Sequence, residues 1–415
     1  MIKKMISGNL TLRFTAVSVV LVLVLSAGCT LFTRKPTQLE KDSGQLYSYI
    51  LEYASNQTDI AFGRLGGEYP IYSENGRWVE TEYGVWARGL YPGMVWLLYQ
   101  STQDVRHFKL ASDWVNGLDK YKNDKSSFGL GRVFYPAYVV GYQITGNRTY
   151  RDLALQAAES ISERFNEVGF FPAFGEPGDT LLGRRLSIES MMDLELLYWA
   201  SDATGNKKYA DQANRHALFT LRSLVSGDGR ILHMADFNPR TGEIQGEKTD
   251  VLANNKKYLP KGYSPSSVWA LGQAWAIHGF TTAYRHEGQT IFFNAAQRVA
   301  EYFIEHLPED GIPLWDFEIP QGEARQKDCG AAALAAASLI KLARSTPTES
   351  DARRYRDAAY KIMRSLNRDY FAKAGGQGII GGALFNEGGS RVVGATAWGD
   401  YYYIEALLLM KDRKV

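Results

Sequence analysis

The chain is bounded first by a helical period that runs from residue 42 to its end, broken by a recurring turn. Apolar residues return every three or four positions throughout, the mark of amphipathic helices. YQSTQDVRHF (99–108), YQITGNRTY (142–150), ASDATGNKKY (200–209) and YRHEGQTIF (284–292) each leave a helix end through small and polar residues. Each then restarts on an aromatic residue. Gly146, Gly205 and Gly288 fall where a helix ends on a left-handed residue, a conformation that costs glycine little. Links this short join antiparallel neighbours. The spacing predicts about twelve helices, near 43–55, 89–101, 104–120, 132–145, 148–164, 187–204, 207–224, 266–287, 289–306, 328–345, 350–368 and 397–411. Six hairpins that close on themselves give an all-α fold, an (α/α)6 barrel. The irregular period speaks against a uniform solenoid. No βαβ alternation and no Gly-rich phosphate loop after a strand occurs. CGAAALAAASLIKLA (329–343) suits a crowded inner ring. The polar and aromatic inserts 56–88, 165–186, 225–265, 307–327 and 369–396 are expected to gather on one face as a site.

Composition narrows the function. The chain is 45% hydrophobic and 22% charged, which is globular. A net charge of +2, with no basic run interleaved with aromatics, gives no reason to expect nucleic acid. Twenty-five Tyr and nine Trp either line a carbohydrate cleft or fill the core, and core is the commoner use. No His/Cys cluster points to a metal, and no cofactor is expected.

The N-terminus reads as a leader. Lys3, Lys4 and Arg13 flank an apolar run, Phe14 to Gly28, too short for a spanning helix. It ends in LSAGC (25–29), which resembles the lipobox of bacterial lipoproteins. That resemblance implies a signal peptide over 1–28 and lipidation of Cys29, with a tether over 29–41 that leaves the helical barrel as a single domain over 42–415. The protein is then held in the cell envelope by a lipid anchor only. Thr30 after the cysteine favours the outer membrane if the cell is Gram-negative. With Cys29 lipidated, the other cysteine, Cys329, has no disulfide partner and reads as a packed thiol.

The segment SIESMMDLELLYWAS (187–201) places Glu189 and Asp193 four residues apart. On a helix they share one face, a turn apart. The pair has two readings. One is a catalytic acid whose pKa is raised by apolar surroundings. The other is a helix start whose acids complement the dipole.

Seven segments carry a family resemblance, in order along the chain: WARGLYPGMVWLLYQ (86–100), SIESMMDLELLYWAS (187–201), GDGRILHMADFNPRTG (227–242), GYSPSSVWALGQAWAIHGF (262–280), LPEDGIPLWDFEIP (307–320), KDCGAAALAAASL (327–339) and WGDYYYIEALLLM (398–410). They are similar to the unsaturated glucuronyl hydrolases of glycoside hydrolase family 88. The resemblance implies an (α/α)6 barrel that removes a 4,5-unsaturated uronic acid from the non-reducing end of oligosaccharides left by polysaccharide lyases. Such a reaction hydrates an enol ether: a carboxyl group protonates a ring carbon and then takes a proton from water, and a histidine holds or polarises that water. The resemblance places Glu189 where the family has its acid/base aspartate, His233 on the site histidine, and Trp86 and Trp275 along the sugar pocket. Gln273 and Trp315 are further candidates for that pocket. Trp398 and Asp400 read as a lock on the barrel.

The chain also departs from the family pattern. Phe128 and Gly129 stand in place of a His-Asp pair, Leu271 in place of an arginine, and Lys261 in place of a glutamine. Asp193 is the one nearby acid to stand in for the missing carboxylate. Arg88 and Arg132 are cations at unexpected motif positions, and either can bind a carboxylate or sulfate in place of the lost arginine. Two other readings stay open: a hydrolase for a saturated uronic acid or another glycan, and a catalytically silent glycan-binding lipoprotein.

Overall fold

A computed structural model describes residues 38–246, 251–253, 256–258, 261–373, 376–387 and 390–412. The leader and Cys29 lie outside the described residues. The described chain divides into two units between Ile50 and Leu51. None of the described helices is long and apolar enough to cross a membrane.

Twelve helices are found among the described residues, one for each expected. They are α1 (Gln38–Leu65), α2 (Leu90–Thr102), α3 (Val105–Val115), α4 (130–145), α5 (Arg148–Glu163), α6 (Leu194–Thr204), α7 (Lys208–Leu224), α8 (Ala270–Glu287), α9 (Thr290–Glu305), α10 (Cys329–Ser345), α11 (Glu349–Ser365) and α12 (Ala397–Lys411). The even-numbered helices pack side by side in the order α2, α4, α6, α8, α10, α12, and α12 returns to α2. That closed ring is the inner layer of an (α/α)6 barrel. Helices α3, α5, α7, α9 and α11 each pack outside the inner helix that precedes them.

Local sequence explains most boundaries. Gly146, Gly205 and Gly288 end α4, α6 and α8 at φ of 70°, 73° and 66°. At the fourth turn Gln103 takes the left-handed conformation instead, and Asp104 caps α3 by accepting the Arg106 N–H. Helix α4 changes to π geometry over Tyr135–Val139, where Pro136 offers no N–H to the regular ladder. Helix α10 is buried from Cys329 to Ala343, pressed between α8 and α12. Its alanines are what allow three inner helices to crowd there.

Two expected helices start later than their periodicity. The helix expected from 266 begins at Ala270, because Trp269 bridges to Asp316 and the Ala270 N–H donates to the Trp315 carbonyl. The helix expected over 187–204 opens as a 3-10 turn, Ile188–Asp193, before α6.

The inserts do gather at one end of the barrel. Among the described residues they form nine short strands that the helical reading did not anticipate. Arg185–Ser187 and Met234–Phe237, from two different inserts, pair antiparallel with Ser187 opposite Met234. The first insert meets the last through Tyr72 and Thr396, and the Gln377 N–H donates to the Gly76 carbonyl. Lys261 reaches the Asn386 carbonyl at 3.2 Å. Alternating inner and outer helices make the six inner ones parallel, so all six begin at this end, where their dipoles favour an anion.

Asp400 and Asp328 fix the last insert to the inner ring. Asp400 is fully buried and accepts the Ile379 and Ile380 N–H groups at 2.9 and 3.0 Å. Asp328 caps α10 and also accepts the Leu384 N–H. Burial pushes Asp400 up to about 7 and Asp328 to about 6. A carboxyl whose folded pKa is raised binds its proton more tightly in the native state, so stability is lost as pH rises toward that value. Melting temperature should therefore fall as pH rises from about 4.5 to about 7 and level off above that. Asp400→Asn should flatten that fall, and an unchanged slope in the variant counts against the assignment.

Candidate active site

The site is set by the pairing of Arg185–Ser187 with Met234–Phe237. Arg185 and Asp236 lie opposite each other and form a buried two-point ion pair at 2.7 and 3.1 Å. One step beyond the sheet, the Ile188 N–H donates to the His233 carbonyl at 3.0 Å. The next residue, Glu189, then meets His233: Oε2 lies 3.1 Å from Nε2, with both residues buried. The Lys261 backbone N–H approaches Nδ1 at 3.4 Å. Nδ1 is thus the acceptor, and Nε2 carries the hydrogen it gives to Glu189. Trp269 packs its ring edge-on to the imidazole at 4.9 Å.

The expectation of a raised pKa for Glu189 is corrected here. Burial pushes its carboxyl up, but the hydrogen bond and charge interaction with His233, then the charges of Lys261 and Arg132, together outweigh burial and hold it below the ordinary range. Burial pulls His233 down against the opposite pull of Glu189. In the free site at neutral pH the pair is a carboxylate and a neutral imidazole.

Asp193 does not stand beside Glu189. A 3-10 turn has three residues per turn, so positions four apart are rotated by about a third of a circle instead of stacking. The Asp193 carboxylate turns to α4, where it accepts the Gly129 N–H at 3.1 and 3.0 Å and the Gly131 N–H at 2.9 Å. It is fully buried, and burial raises its pKa against the pull of Arg132 and the Gly129 amide. Its place is that of an anchor for the start of α4, not of a second catalytic carboxyl. Gly131 permits the approach, since a Cβ there would lie 2.4 Å from the Asp193 Cα.

The arginines part company. Arg88 ion-pairs with Glu80 at 2.7 Å and hydrogen-bonds the Tyr121 hydroxyl, so its charge is already met. Arg132 is buried, yet its Nε, Nη1 and Nη2 have no hydrogen-bond partner. Its guanidinium carbon lies 4.4 Å from the Trp86 ring, 5.0 Å from Trp275 and 5.2 Å from Phe128. Trp86, half-buried, also packs on Trp398 at 5.0 Å. Trp275 meets Tyr402 at 5.8 Å.

Gln273 is turned from the site: its Nε2 donates to the Gly229 and Val299 carbonyls at 2.7 and 3.1 Å. Trp315 is covered by the Arg391 guanidinium at 3.8 Å. Among the described residues no group of His, Cys, Asp and Glu side chains is placed to hold a metal. Sequence reading missed Trp269 and the Arg185–Asp236 pair. Trp269 lies inside a motif already singled out, but only the bridge to Asp316 aims it at His233. The ion pair has no local signal, as its partners are 51 residues apart.

No protein-family model matches the sequence. Individual relatives do. The unsaturated glucuronyl hydrolase of Bacillus sp. (strain GL1) is 31% identical over 359 residues, which is 84% of this chain and 92% of the relative. The unsaturated chondroitin disaccharide hydrolase of Streptococcus pneumoniae (strain ATCC BAA-255 / R6) is 29% identical over 78% of this chain and 81% of the relative. Among solved structures, the unsaturated glucuronyl hydrolase of Bacillus sp. GL1 superposes with a TM-score of 0.80 at 28% identity, covering 88% of this chain and 97% of that one. A Streptococcus agalactiae unsaturated glucuronyl hydrolase gives 0.79 at 28% identity, over 91% and 93%.

The two acids of the 3-10 turn should separate by experiment. Asp193→Ala leaves two buried amides unpaired and should cost roughly 2–4 kcal/mol in urea unfolding. Glu189→Gln keeps an acceptor for His233 and should cost less than about 1 kcal/mol. Equal losses would contradict the division of roles.

Proposed function

Because the chain belongs to the unsaturated glucuronyl hydrolase family, we propose that it removes a 4,5-unsaturated uronic acid from the non-reducing end of oligosaccharides by hydrating the enol ether. The observation that carries this reading is the buried Glu189–His233 pair with its committed neighbour. Direct displacement at a glycosidic bond calls for two carboxyl groups about 5–10 Å apart across that bond. Asp193, the other acid of the turn, is bound to backbone amides. Hydration needs only one carboxyl group.

In this proposal Glu189 gives its proton to the enol-ether carbon remote from the ring oxygen. Water adds to the carbon that bears the ring oxygen and returns a proton to Glu189, so the carboxyl ends as it began. The hemiketal opens and the remaining sugar leaves. His233, fixed as the Nε2–H tautomer, turns that hydrogen from Glu189 toward the water. Trp86 and Trp275 form the apolar wall of the sugar site, and Arg132 supplies its cation. Since Glu189 is ionised in the free site, a proton must reach it as substrate binds.

The named relatives act on unsaturated glucuronyl and chondroitin disaccharide substrates, and lyase-generated chondroitin disaccharides are the first to try. The ultraviolet absorbance of their conjugated double bond should disappear on incubation with the protein. Glu189→Gln should slow that loss by about 10²–10⁴-fold. Full activity in the variant removes Glu189 from the role.

Placement in the cell envelope by a lipid at Cys29 belongs to the same proposal and is supported by LSAGC alone. Cys29→Ser should move the protein from the membrane pellet to the soluble fraction and abolish labelling by a fatty acid. A variant that still pellets with label contradicts the anchor.

A further inference from the structure

Four arginines among the described residues are buried, and three have their charge or their N–H groups met. Arg185 is paired with Asp236, Arg88 with Glu80, and the Arg164 Nη groups with the Ser127 and Pro172 carbonyls. Arg132 is the exception, with every guanidinium nitrogen unpartnered. An uncompensated buried charge is strongly destabilising, so a fold keeps one only against a cost. The rings of Trp86, Trp275 and Phe128 attract the cation but accept no conventional hydrogen bond from its fork. What the fork fits is a planar carboxylate approaching edge-on, two N–H groups to two oxygens.

The protein withholds a carboxylate of its own from this spot. A Cβ on Gly129 would lie 3.5 Å from the Arg132 Nη2, the right neighbourhood for a partner. It would also lie 2.6 Å from the Trp86 Cβ, and the Gly129 φ of 107° disfavours any side chain. Glu189 and Asp193 both act on Arg132 through their fields, but neither hydrogen-bonds its guanidinium, and the Asp193 oxygens are held by Gly129 and Gly131.

We propose that Arg132 is the seat of the substrate's carboxylate, a cation left unpaired so that an anionic sugar neutralises it on binding. The inference rests on the uronic-acid reading above and assigns that acid's recognition to a residue on α4. It also explains how Glu189 gains a proton. The groups acting on Glu189 are His233 beside the sheet, Lys261 in the third insert and Arg132 on α4. The one negative charge of a carboxylate on Arg132 offsets one of the two permanent cations among them, so Glu189 takes up a proton more readily as the sugar docks.

Methyl β-D-glucuronide and methyl β-D-glucoside differ at the carboxylate and carry no double bond, so calorimetry reads binding without turnover. Wild type should bind the glucuronide at least tenfold more tightly than the glucoside. In buffers of different ionisation heat at pH 7 it should take up protons with the glucuronide, and Glu189→Gln should take up none. Arg132→Met should lose the preference for the glucuronide while melting no lower than wild type. Arg132→Lys should keep a reduced preference, because charge remains without the fork. Equal binding of the two sugars by wild type, binding of neither, or an Arg132→Met protein that still prefers the glucuronide overturns the proposal. Glucuronide binding by wild type with no turnover of any lyase product would count against hydration and leave the Arg132 seat standing.

Discussion

Much of the site hangs on one buried carboxylate whose oxygens are taken up by backbone amides. Asp193 ends the 3-10 turn that carries Glu189, and it holds the Gly129 and Gly131 amides at the start of α4, which carries Arg132. Two inner helices of the barrel are thereby locked at their N-terminal ends, and the acid of one is set within the field of the cation of the other. Full burial makes the clamp selective. Any shift of α4 would leave amides and a carboxylate unpaired in a dry interior, at a cost of several kcal/mol.

A second constraint acts on the other side of Glu189, through its histidine. The short pairing of Arg185–Ser187 with Met234–Phe237 brings Glu189 and His233 together, and the Arg185–Asp236 ion pair pins its register. A slip by one residue would turn Glu189 away from the imidazole. The strands are only three and four residues long, so the pairing depends on the barrel beneath and on the insert backbone around it. The rigid ring supplies position; the inserts supply chemistry.

The resulting electrostatics are lopsided. Arg132 and Lys261 both bear on the Glu189 carboxylate. A site of that sign attracts anions and holds Glu189 ionised until one arrives. That coupling suits hydration of an anionic sugar better than hydrolysis of a neutral one, because the charge the substrate brings is the charge that readies the acid.

Residue pattern alone determined the twelve helices, the hairpin order and the three glycine ends at Gly146, Gly205 and Gly288, since these follow from periods and φ preferences within a few residues of chain. Family resemblance, not residue pattern, marked Glu189, His233, Trp86 and Trp275, and Arg132 stood out as a cation at an unexpected motif position. The sequence could not separate Arg132 from Arg88, or Glu189 from Asp193. Those distinctions turn on partners that local spacing does not fix: Asp193 on Gly129 and Glu189 on His233, both far away in sequence, Arg88 on Glu80 across a turn, and Arg132 on no acceptor at all. Nor could it give the sign of the Glu189 pKa shift, because an apolar sequence context reports burial and says nothing of the cations folded against it. Local spacing writes the helices; only the closed barrel decides which buried charges are met and which one waits for a ligand.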